Sequence, residues 1–233
     1  MTTKPIKPAS VYAPEAPGGQ FPEFPPRDDM QNALHLDDQG HQAALRRHLG
    51  NPDTTVVIGE VPIGWNIHTR REVIRVPDLL IAFNVDRALV VAEMGYSIDE
   101  HGKAPDFALE LASPNTARND ERGKRIDYAN FGVREYWRFD GSGGQWYQQP
   151  LAGDVLVGTE YRPVEIHRVD DQRYWGHSEV LNLDVCWEYG EVRFYYPASG
   201  EYLLTYDETD DARRDAEERI RQLEAENRRL RNP

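Results

Sequence analysis

APDFALELASPNTARNDERGKRIDYANFGVREYWRFD, residues 104–140, reads as strand, turn, helix, strand. FALELA alternates, so Phe107, Leu109 and Leu111 share one face while Ala108, Glu110 and Ala112 share the other. A carboxylate between two alanines on an otherwise apolar strand is a poor core design, because a buried charge needs a partner. It suits an open site into which one carboxylate projects. SPNT breaks the strand, and the pattern predicts a charged helix from about Asn119 to Phe131, with Gly132 at the position of a helix C-terminal glycine. VREYWRFD resumes as a strand rich in aromatic and β-branched residues. Glu110 and Lys124 thus stand on adjacent elements, close enough to face one another.

Upstream, VIRVPDLLIAF (residues 73–83) predicts a second strand, with Asp78, Leu80 and Ala82 on one face and Leu79, Ile81 and Phe83 on the other. A second lone carboxylate therefore opens a buried-looking strand; its plainer readings are a strand cap or a pair with Arg75. TTVVIGEVPIGW, from Thr54, predicts a first strand interrupted by Gly59 and Pro62, after which the polar NIHTRRE turns the chain. A helix is expected from Met30 to Leu49. It carries His35, His41 and His48, which read as solvated or hydrogen-bonded histidines rather than a metal site. Residues 1–28 are proline-rich and read as an extended or disordered arm.

Downstream of Asp140, GSGGQWYQQPLAGD and VLVGTEYRPVEI supply turns and short strands, and a hairpin follows with its turn near Tyr189-Gly190. From Asp207 the composition changes to DETDDARRDAEERIRQLEAENRRLRNP. With Ile220 at heptad position a, Ala216, Leu223 and Leu230 fall at d and Asn227 at a. Arg219 then faces Glu224 of a partner, and Glu226 faces Arg231, the charge pattern of a parallel pair. The run covers barely three heptads, and the bland alternative is one solvated amphipathic helix. The expected division is an arm (1–28), a domain (29–206) and a charged helix (207–233).

Bulk properties set limits. The chain has 233 residues, 39% hydrophobic and 29% charged, with a formal net charge of −13. No run approaches a membrane span, the start lacks the apolar segment of a secretory signal, and a cytoplasmic protein is expected. The single cysteine, Cys186, lies between Val185 and Trp187 and reads as a buried structural thiol. No phosphate-binding glycine motif and no GxSxG elbow occur. The acidic balance argues against a general nucleic-acid coating protein. It does not exclude an enzyme that meets a phosphodiester through a small metal-bearing site, because a bound cation reverses the local field.

Asp78, Glu110 and Lys124 together suit metal-dependent phosphodiester cleavage. Two carboxylates offer hard oxygen ligands to Mg²⁺, and a lysine beside them positions water or offsets charge on the phosphate oxygens. Lys124 shares a helix face with Asp120 and Tyr128, so a surface ion pair with Asp120 is the plain alternative, though such pairs contribute little. VPDLLIAF, APDFALELASPNT and NDERGKRIDYANFGVREYWRFD resemble the Uma-type endonuclease family of the restriction-endonuclease-like PD-(D/E)XK superfamily, over residues 30–205. By that resemblance Asp78 is the acid of PD and Glu110 the (D/E), both binding Mg²⁺ or Mn²⁺. The lysine that normally follows two residues later is absent, since that position is Ala112. The resemblance implies that in this group the lysine has moved to the following helix, which points to Lys124. The resemblance implies an α/β fold: a mixed twisted sheet flanked by helices, with an antiparallel extension and a C-terminal coiled-coil-like helix. Glu60 and His35 are further candidates to line the cleft, and Asp106 an outer ligand or strand cap. The expectation is a DNA endonuclease acting as a homodimer. The competing reading is a non-catalytic interaction protein that keeps the fold and oligomerises through its tail, which the acidic charge favours.

Overall fold

The computed structural model describes residues 39–66, 73–113 and 117–231. The arm expected over 1–28, the first part of the helix expected from Met30, and His35 lie outside them. In chain order the strands are β1 (Thr55–Ile58), β2 (Ile63–Gly64), β3 (Leu79–Phe83), β4 (Tyr96–Ser97), β5 (Phe107–Leu111), β6 (Glu135–Phe139), β7 (Leu151–Val157), β8 (Glu160–Pro163), β9 (Ile166–Asp170), β10 (Arg173–Ser178), β11 (Leu183–Glu188), β12 (Glu191–Tyr196) and β13 (Glu201–Tyr202). The helices are α1 (His41–His48), α2 (Arg87–Glu93), α3 (Ile98–His101), α4 (Ala117–Phe131) and α5 (Tyr206–Arg231). No helix among the described residues is long and apolar enough to cross a membrane.

The main sheet has six strands in the order β1–β3–β5–β6–β7–β8. All neighbours are antiparallel except β5 and β6, which run parallel and are joined through α4. This mixed sheet with an antiparallel extension is the expected α/β architecture. A second, wholly antiparallel sheet runs β13–β12–β11–β10–β9, and β2 pairs with β4 in a short parallel ribbon.

Period-two alternation sorts the side chains of the main sheet into two cores. Leu79, Ile81, Phe107, Leu109, Trp137 and Phe139 face the second sheet and pack with Leu183, Val185, Val192 and Phe194. Leu80, Ala82, Ala108 and Tyr136 face the opposite way and pack with Val90 of α2, Tyr128 and Phe131 of α4, and Tyr96. The expectation of helices flanking the sheet therefore holds fully on one face; the other is covered mainly by strands. Trp137 keys the two sheets together. A Cβ on Gly153 or Gly176 would lie 2.9 Å from its indole, so only glycine lets both backbones approach it. The buried carboxylate of Glu135 adds a polar tie, accepting from Ser178 Oγ at 2.6 Å, Val180 N at 3.0 Å and Trp137 Nε1 at 2.9 Å.

Several local expectations change. The helix expected from Met30 to Leu49 is not continuous: Gln39 and Gly40 form a turn and α1 starts at His41. Gly40 has φ +80° with the Tyr206 ring against it, and a Cβ there would meet that ring at 2.6 Å. The strand expected over 73–83 is regular only from Leu79, although its two faces are as read. Residues 84–103 hold α2 and α3. Asp86 caps α2, accepting from Ala88 N at 2.8 Å and Leu89 N at 3.4 Å. The hairpin turn falls at Tyr189-Gly190, both at positive φ.

Candidate active site

The β3–β5 ladder pairs Leu79 with Leu109, and its continuation by one residue sets Asp78 opposite Glu110. On the other side of Glu110, the β5–β6 register places Arg138. Opposite residues in a ladder share a face, so Asp78, Glu110 and Arg138 form a row across the sheet on the side that α4 covers. Asp78 Oδ2 accepts the backbone N–H of Leu111 at 2.6 Å, which ties it to the end of β5. The Arg75 guanidinium, the arginine weighed as a partner for Asp78, pairs with Asp127 of α4.

Glu110 is only 2% exposed and α4 grips its two oxygens separately. Lys124 Nζ donates to Oε2 at 3.1 Å, and the Tyr128 hydroxyl donates to Oε1 at 2.7 Å. Lys124 and Tyr128 stand one helical turn apart, so a single helix face delivers both. Burial, and then the nearby Glu110 carboxylate, hold the Tyr128 phenol well above its ordinary pKa. It therefore keeps its proton and donates a hydrogen bond to Glu110. The side chain of Asp120, the partner of Lys124 in the bland reading, lies outside the described residues.

The position two residues beyond Glu110 is closed. Ala112 is buried and clusters with Tyr147 and Trp146, so a lysine there would push its stem into apolar side chains. The cation reaches Glu110 from α4 instead. A second buried acid secures that helix. Asp154 of β7 accepts from Arg125 Nε and Nη2 at 3.1 and 2.9 Å, and from Arg138 Nη2 at 2.7 Å. One carboxylate thus joins the residue next to Lys124 on α4 to the residue beside Glu110 on β6.

The other candidates fall elsewhere. Asp106 shares the Glu110 face but sits at the opposite end of β5, where it accepts from Phe83 N at 2.9 Å and Lys103 Nζ at 2.6 Å, with Arg134 at 3.5 Å. That is a strand cap. Glu60 follows the turn at Gly59, its N–H bonded to Pro77 O at 3.0 Å, so its backbone abuts the segment that carries Asp78. His41 is buried against Phe194 and bonded to Gln39 at 2.8 Å, and His48 packs on Tyr196. Cys186 is fully buried and burial pushes its thiol pKa up, as befits a structural residue. Tyr128, Arg138 and Asp154 were not singled out from the sequence. Asp154 did carry a signal: it is a lone acid in the apolar run LAGDVLV, the same signature that marks Glu110.

Two carboxylates opposed in one row repel unless a cation lies near, and Mg²⁺ takes one or two carboxylates with water completing its shell. The donor set fits such a hard divalent ion. Among the described residues no group of three or more His, Cys, Asp or Glu side chains is arranged to hold a metal by itself.

A parallel β5–α4–β6 unit set in a mixed sheet, with Asp78, Glu110 and Lys124 gathered at one strand end, defines an α/β protein. The chain belongs to the Uma2 family, described as "Putative restriction endonuclease", whose family model matches residues 33–186. It is also similar to the crystal structure of a putative nuclease belonging to DUF820 from Anabaena variabilis ATCC 29413. That similarity has a TM-score of 0.38 and 14% sequence identity, covering 60% of this chain and 73% of that one. The comparison with curated proteins gives no match.

Proposed function

We propose that this protein is a cytoplasmic, metal-dependent DNA endonuclease that hydrolyses phosphodiester bonds at the Asp78–Glu110–Lys124 site. The observation that carries the proposal is the 3.1 Å contact between Lys124 Nζ and Glu110 Oε2, on the face that Asp78 shares. Asp78 and Glu110 would hold Mg²⁺ or Mn²⁺, which when bound polarises the phosphate and acidifies a coordinated water. Lys124, 15% exposed, keeps a charged ammonium at the rim of the site, where it can orient water and offset charge developing on the phosphate oxygens. Asp154, by tying Arg125 to Arg138, holds α4 so that this ammonium stays over Glu110. Paired copies of α5 would make the enzyme a homodimer.

The test is cleavage of supercoiled and single-stranded DNA in Mg²⁺, Mn²⁺ or EDTA, with Glu110→Ala and Lys124→Ala alongside the parent protein. Metal-dependent cleavage falling by about 10²-fold or more in both variants is expected. Activity that survives Glu110→Ala would sink the assignment. The second reading, a scaffold that keeps the nuclease fold without catalysis, draws on the solvent-exposed α5 and the acidic charge. It is favoured if the parent protein neither cleaves DNA nor binds Mn²⁺.

A further inference from the structure

We propose that Tyr128 is a positioning residue for Glu110, fixing the plane of its carboxylate for metal binding; this rests on the function proposed above. An ionised carboxylate has about four lone-pair sites on its two oxygens. Lys124 takes one on Oε2 and Tyr128 one on Oε1, so α4 fixes the carboxylate at two points and leaves the remaining lone pairs for a ligand. A single donor would let the group swing about its last torsion, which is broad for Glu. Tyr128 itself cannot swing: it is fully buried, its ring centroid 4.8 Å from that of Tyr136 and 6.3 Å from that of Phe131. The 2.7 Å bond to Glu110 is the polar task of its hydroxyl. A Tyr merely filling the core would be interchangeable with Phe as far as Glu110 is concerned.

Tyr161 supplies the control. It is another buried tyrosine of the same core cluster, but its hydroxyl donates to the Val133 carbonyl at 2.8 Å. Mn²⁺ affinity, read from the free-ion electron paramagnetic resonance signal without any substrate, separates the two roles. Tyr128→Phe is expected to weaken Mn²⁺ binding by about 10- to 100-fold, the usual effect of removing a hydrogen-bond partner of a metal ligand. Tyr161→Phe should leave it within about twofold, in line with an outer-shell effect confined to a ligand's own partners. Mn²⁺ binding by Tyr128→Phe equal to that of the parent protein overturns the inference. Should Tyr128→Phe not fold, Glu110→Asp withdraws the carboxylate from the tyrosine while keeping its charge, and unchanged Mn²⁺ affinity there overturns it equally. If the parent protein binds no Mn²⁺, or Glu110→Gln binds it undiminished, the proposed function itself fails. Binding that is lost in Glu110→Gln but kept in Tyr128→Phe removes only the role of Tyr128.

Discussion

At the scale of single residues, the acids of the site were legible because a strand has period two. Asp78 and Glu110 each interrupt an apolar alternation, and the structure sets both on the face those patterns assign them. Lys124 was legible from helical spacing and family resemblance together. Arg138 was not, and Asp154, though a lone acid in an apolar run, gave no sign of its partner, since their pairing joins β6 to β7 across sixteen residues and no local period reports it. His41 illustrates a consequence of burial. Desolvation, aided by the nearby Arg193 charge, lowers its pKa from 6.5 to about 4. A histidine held neutral in the folded state stabilises fully above its unfolded pKa and loses that contribution as pH falls through the window from 6.5 to about 4. Acidification across this window should therefore cost roughly 3 kcal/mol of stability on this account. Urea midpoints measured from pH 7 to pH 4 should fall more steeply for the parent protein than for His41→Gln; parallel profiles would rule the histidine out as the cause.

At the scale of elements, helices with a clear cap and a clean period were the easiest to place. α5 begins with a capping box: Glu208 N donates to Thr205 Oγ1 at 3.4 Å while Thr205 N donates to Glu208 Oε2 at 2.9 Å. Arg193 of β12 clamps the same glutamate at 2.9 and 3.1 Å. Beyond this first turn no residue of the helix is buried, and Ile220, Leu223 and Leu230 are 56, 52 and 73% exposed. A solitary helix of this kind has little to hold it in water. Pairing with a second copy through the a and d positions would cover those side chains. Sedimentation of the parent protein should give a dimer and Leu223→Lys a monomer; a monomeric parent would reject pairing through α5. α2 was missed although Asp86 is a good cap, because its LVV segment is equally suited to a strand and the helix has only seven residues.

At the scale of the whole molecule, strand order and the role of the second sheet were beyond the reach of local pattern. Both depend on contacts between segments far apart in sequence, and the resemblance rather than the periodicity supplied the mixed sheet. The family match closes at residue 186, inside β11, yet Val192 and Phe194 of β12 belong to the same core as Trp137 and Leu109. The boundary of sequence similarity is not a boundary of the folded body. The β5–α4–β6 unit has a kinetic meaning as well. Glu110, Lys124 and Tyr128 all lie within one contiguous stretch whose two strands are linked only through α4, so the loop that must close to bring them together is short. Closure entropy rises with loop length, and contacts of short range tend to be made early on a folding route. The core of the site should therefore be structured in the folding transition state, and the second sheet should dock later. Ala108→Gly is then expected to slow refolding, whereas Val192→Ala chiefly accelerates unfolding. Stopped-flow chevrons showing the reverse assignment would contradict this order. On such a route the end of the protein that carries Glu110 and Lys124 is the part of the chain that first acquires its shape.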